Sequence, residues 1–66
     1  MAVAKSIEVI SSSSTGIEDA VKSGVAKVAE TVSGIEGVWI KDTKAVVRDN
    51  RVSEWRVTLV VTFLVQ

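Results

Sequence analysis

The sequence predicts an α+β fold in the order β-α-β-β, a three-stranded antiparallel sheet with a single helix packed on one face, and three observations predict it. Trp55 to Val65 places apolar residues at every odd position (Trp55, Val57, Leu59, Val61, Phe63, Val65), mixes polar with apolar at the even ones, and holds no Gly or Pro, the pattern of a long pleated strand. Ile17, Ala20, Val21, Gly24, Val25, Val28 and Val32 recur at three and four residues, which is one stripe of an amphipathic helix. Asp49-Asn50 separates two strand-like runs and tolerates positive φ, which is the chemistry of a tight hairpin turn.

Taken in order, Val3 to Ile10 reads as the first strand, with Val3, Ile7 and Val9 on one side and Lys5 interrupting that side near its free end. Ser11 to Ser14 reads as a loop, because small hydroxyl side chains compete for the backbone and favour caps and turns. A phosphate cradle is disfavoured there, since only one glycine is nearby and no Lys follows at P-loop spacing. Thr15-Gly16-Ile17-Glu18 matches a capping box, with Thr15 as N-cap and Asp19 adding favourable charge in the first turn. Gly24 lies inside the apolar stripe at a cost of roughly 0.5–1 kcal/mol relative to Ala, which marks a close approach of helix to strand. Glu18-Lys22 and Lys27-Glu30 pair on the wet side.

Ser33-Gly34 ends the helix, with Gly34 as a left-handed cap, and Gly37 permits a bend before a second strand from Val38 to about Arg48. If Arg48 lies opposite Arg51, Val38 falls across from Val61, Trp39 from Val60 and Ile40 from Leu59. Val38, Ile40 and Val46 then share the helix face with Val57, Leu59, Val61 and Phe63. Trp39, Lys41, Thr43, Ala45 and Val47 share the other with Arg56, Thr58 and Val60, and Asp42 and Lys44 fall on the apolar side at a wet margin. The first strand is expected beside the third, where Ile7 and Val9 complete the core.

Residues 1–66 make one domain, short enough to need an added device for stability. With no Cys and no His, disulfides, thiolate or imidazole metal sites and histidine acid-base catalysis are all excluded, and self-association is the device that remains. Eight basic and eight acidic residues sum to zero without a block of like charge, which argues against a nucleic-acid partner. The longest uncharged run, Val57 to Gln66, is far below a spanning length, and Met-Ala-Val-Ala-Lys has no apolar signal core behind it, so a cytoplasmic protein without a membrane partner is expected. No carboxylate pair or nucleophile-base arrangement stands out, so no enzyme activity is expected. Trp39 is the most informative side chain: it serves either as the anchor of a subunit interface or as a stacking platform for a flat aromatic ligand. Trp55 reads as a core-rim residue.

The order of strand, Ser-rich loop, Ile17-Glu18-Asp19-Ala20-Val21, Ala/Val helix, Gly37-Val38-Trp39 entry and Trp55-Arg56-Val57 third strand resembles the dodecin family over essentially the whole chain. That resemblance implies a hollow homododecamer of β-α-β-β subunits that stores, buffers and photoprotects flavins (riboflavin, FMN or FAD), held between symmetry-related tryptophans at subunit interfaces. It assigns flavin stacking to Trp39. It also places Arg56 where many members carry a glutamine that hydrogen-bonds the ring edge, so a weaker flavin site is expected. The competing expectation is a structural or interaction assembly that binds ions or another cofactor such as coenzyme A.

Overall fold

The computed structural model describes residues 2–65. The order is β1 (Ala4–Ser13), α1 (Ile17–Ala29), β2 (Ile35–Arg48) and β3 (Arg51–Leu64), and the sheet runs β1-β3-β2 with both pairings antiparallel. The long third strand therefore lies at the centre. Its two flanks hide its edges, and its period of two points Val57, Leu59 and Val61 into the helix, where all three are fully buried with Ala20. Ile7, Val9, Val21, Val28, Ile35 and Val38 pack around them.

Asp49 and Asn50 both take positive φ (52° and 59°), as their turn chemistry requires. Gly34 also takes positive φ, 77°, and its carbonyl accepts a 3.0 Å bond from the Leu64 amide. The helix itself ends sooner than the apolar stripe suggests, at Ala29, and the chain continues as a turn at Glu30 and Thr31, with the Thr31 and Val32 amides both donating to the Val28 carbonyl. The Glu18–Lys22 and Lys27–Glu30 pairs form at 2.9 and 3.4 Å.

Two local expectations are corrected. The serine run is mostly strand: Ser11, Ser12 and Ser13 pair with Val57, Arg56 and Trp55, because the uninterrupted central strand continues to offer backbone partners and their small side chains leave room for the helix. A Cβ at Gly24 would lie 2.8 Å from Leu59 Cδ1 and 3.0 Å from Ser11 Cβ, so the close approach marked by Gly24 is made onto this serine as well as the core leucine. Nor does Thr15 cap the helix. Gly16 occupies the cap position with extended backbone, and Ser13 Oγ instead accepts from the Thr15 amide at 2.9 Å while donating to Asp19 Oδ2 at 2.6 Å.

The second strand starts at Ile35 and carries three register shifts, between Ile35 and Gly37, Ile40 and Asp42, and Val46 and Val47. The expected pairing holds at both ends of the hairpin, with Val38 opposite Val61, Trp39 opposite Val60 and Arg48 opposite Arg51. Between the last two shifts it is displaced by one residue: Asp42 pairs with Thr58, Lys44 with Arg56, Ala45 with Trp55, Val46 with Glu54. One extra residue in one strand exchanges the faces of everything beyond it until a compensating bulge restores them. Asp42, Lys44 and Val46 thus stand on the face away from the helix with Thr58, Arg56 and Glu54, and Thr43 and Ala45 on the helix side with Val57 and Trp55, the reverse of the sequence expectation. The two charges that broke the apolar alternation are the trace of this bulge.

A 13-residue helix spans about 20 Å, whereas a 14-residue strand reaches about 47 Å. The hairpin accordingly runs on past the helix, leaving Val47 and Val52 exposed on the uncovered end.

Candidate functional site

The face of the sheet away from the helix is built in rows across β1, β3 and β2. One row is Glu8, Val60 and Trp39; the next is Ile10, Thr58 and Asp42; the next is Ser12, Arg56 and Lys44. Trp39 is 61% exposed and Ile10 67%, so this face presents an indole and an aliphatic side chain to the outside of the protomer. Exposed large apolar side chains on an uncovered sheet face make this face the candidate meeting surface for a partner or ligand.

The two residues singled out from the sequence share this face but occupy different rows. Arg56 lies four residues from Val60 along β3, a run of about 13 Å. Between them, Lys41 Nζ crosses the central strand to Glu8 Oε1 at 3.1 Å, with both side chains half-exposed. Lys41 is the extra residue of the bulge, which explains how its side chain reaches the same face as Trp39 and Asp42.

Beyond that pair the face hollows. A depression of about 370 Å³ is lined by Ile10, Ser12, Asp42, Lys44, Arg56 and Thr58. Trp39 does not line it. Sequence reasoning missed Asp42, Lys44, Ser12 and Ile10 as neighbours of Arg56, since the bulge sets the first two and the unexpected length of β1 sets Ser12. The unalternated charges at Asp42 and Lys44 were the available signal.

Lys44 and Arg56 stand directly opposite each other, a like-charge pairing that is unfavourable unless compensated. The compensation on the Arg56 side is Glu54, whose Oε2 lies 2.8 Å from Arg56 Nη2. That hydrogen bond holds the Glu54 carboxyl below the usual carboxylate range against an opposing push from partial burial, helped by the charges of Arg56 and Arg48 and by the neighbouring Ser12 hydroxyl. Among the described residues no group of carboxylates could hold a metal ion, and no helix is long and apolar enough to cross a membrane.

This arrangement offers an aromatic stacking surface on one row and a partly apolar hollow with paired hydrogen-bond donors two rows away.

A family model for dodecin matches residues 3–66. No curated protein matches the chain by sequence. Among solved structures it is similar to the dodecin from Streptomyces davaonensis, at 17% identity and TM-score 0.94 over 98% of this chain and 96% of that one. It is also similar to an arginine-to-alanine variant of the Thermus thermophilus dodecin, at 24% identity and TM-score 0.95 over 100% and 98%. The dodecin from Streptomyces coelicolor aligns at 22% identity and TM-score 0.94 over 98% and 93%. At such identities these likenesses establish the shared fold.

Proposed function

This chain belongs to the dodecin family, and on that premise we propose that it is a flavin-binding storage and photoprotection protein, a homododecamer whose flavins stack on Trp39 at subunit interfaces. The observation that carries the reading is the indole itself, 61% exposed on a sheet face that nothing in the protomer covers. A large aromatic left in water on an extended strand is a costly choice for an isolated subunit. It becomes favourable when a second copy and a flat ring close over it, because stacked aromatics gain about 0.5–1.5 kcal/mol beyond the area they bury.

Arg56 supplies donors toward the ring edge. Guanidinium offers five N–H groups and no acceptor, so it serves ring carbonyls and leaves a ring N–H without a partner. An unsatisfied group of that kind costs about 1–3 kcal/mol, roughly ten- to a hundredfold in affinity. Riboflavin, FMN and FAD share the ring and differ only beyond it, so all three are candidate ligands, bound without being turned over.

Purified protein tests the reading through its visible absorption spectrum and its molar mass by light scattering. A yellow particle of about twelve subunits supports it. A colourless assembly of the same mass that leaves added flavin unquenched points instead to a structural role, with ions or coenzyme A as the ligands to try next.

A further inference from the structure

Glu54 and Arg56 are two residues apart on β3 and therefore on one face, and their side chains retain only 25% and 36% exposure. Their charges are thus screened less than those of an open surface pair. Glu54 does not line the hollow that Arg56 lines. It lies behind the guanidinium, in a separate depression with Ser12, Ser13, Ser14 and Ser53. The charges lining the hollow are Lys44 and Arg56, two positive, against Asp42, one negative, which leaves one positive charge; counting Glu54, the carboxylate bonded to Arg56, brings that set to zero, with Arg48, whose charge also acts on Glu54, outside it. Among the described residues Lys44 makes no ion pair, so Glu54 is what separates a neutral site from a cationic one.

We infer that Glu54 is a positioning and specificity residue for this site: it holds Arg56 by Nη2, leaves the other guanidinium donors for an uncharged acceptor, and biases the site toward riboflavin over a phosphorylated flavin. The inference rests on the flavin-binding reading and adds to it the class of flavin selected. A flavin phosphate carries roughly −1.5 to −2 charges at neutral pH. A cation about 7 Å from such a phosphate, in the partly screened surroundings of a sheet face, changes its affinity by about three- to tenfold while leaving a neutral ring untouched.

Riboflavin and FMN titrated in parallel against the assembled protein, by quenching of flavin fluorescence, give the ratio of their affinities. Glu54→Gln should raise the FMN-to-riboflavin ratio by about three- to tenfold, and Glu54→Asp, which restores the charge, should return it toward the wild-type value. A purely structural role for Glu54 would weaken both flavins alike and leave the ratio unchanged, which would overturn the inference. A second readout needs no variant: with a neutral site, the wild-type ratio should change little with salt, and a steep loss of FMN affinity alone at high salt would also overturn it. Wild-type protein that quenches neither flavin removes the flavin-binding reading itself, whereas normal binding with an unmoved ratio removes only the role of Glu54.

Discussion

Ser13 Oγ donates a 2.6 Å hydrogen bond to Asp19 Oδ2, tying the last residue of β1 to the first turn of α1. The same oxygen accepts from the Thr15 amide, so one buried hydroxyl fixes the strand-to-helix corner that a threonine cap was expected to fix. Ser13→Ala should therefore destabilise by about 1–2 kcal/mol, the range of a lost cap together with an orphaned amide. Thr15→Ala should stay within about 0.5 kcal/mol, as surface changes away from such features do. Denaturant midpoints of the two variants decide it, and equal losses would return the capping role to Thr15.

Gly24 is held open by Leu59 and Ser11. An added methyl would meet Leu59 Cδ1 at 2.8 Å, and Leu59 is fully buried and cannot swing away. Alanine gains about 0.8–1 kcal/mol of helix propensity, but overpacking a core costs about 1–3. Gly24→Ala should accordingly lose stability by about 1 kcal/mol. Combined with Leu59→Val, it should lose less than the two single losses added together, a coupling that thermal or denaturant unfolding can measure.

Much of this fold is legible in the sequence because its strongest signals are local. The period of two from Trp55 onward, the stripe around Gly24 and the Asp49-Asn50 turn each depend on a few neighbours, and each stands in the structure where it was expected. The face assignments from Asp42 to Val46 were not legible, because a bulge at Lys41 and its compensation near Ser53 leave the ends of the hairpin in the expected register while exchanging its middle. Propensity also misread Ser11 to Ser13: three poor strand formers became strand because the backbone of Val57, Arg56 and Trp55 was there to pair with them. Trp39 was legible as a candidate because it is a large indole on the sheet face that the helix leaves uncovered. Its separation from Arg56 by the Lys41–Glu8 pair required the structure.

Val60 lies between Glu8 and Trp39 on the face away from the helix and is half-buried within the protomer. Val60→Asp would set a second carboxylate directly beside Glu8 and place a charge in the surface proposed to close between subunits. The variant should lose assembly, seen as a fall in mass by light scattering, while keeping the helical circular dichroism of the α1-sheet core. Assembly at wild-type mass would show that the interface lies elsewhere.

Acid should weaken the Glu54–Arg56 pair in a defined direction. The carboxyl is held below its ordinary 4.5, so the pair contributes stability above that pH and the contribution fades as pH falls through the lowered value. Wild type should therefore exceed Glu54→Gln in denaturant midpoint near neutrality, and the two should converge below the ordinary carboxylate range. A gap that persists unchanged into strong acid would mean that Glu54 acts through packing and not through its charge.

The central claim is that Trp39 carries the flavin, and a riboflavin titration followed by fluorescence, wild type against Trp39→Ala, tests it most directly. Wild type should quench the flavin saturably, and Trp39→Ala, still folded by circular dichroism, should abolish that quenching. Arg56→Gln in the same titration should tighten riboflavin binding. Undiminished quenching by folded Trp39→Ala, or none by wild type, would contradict the account.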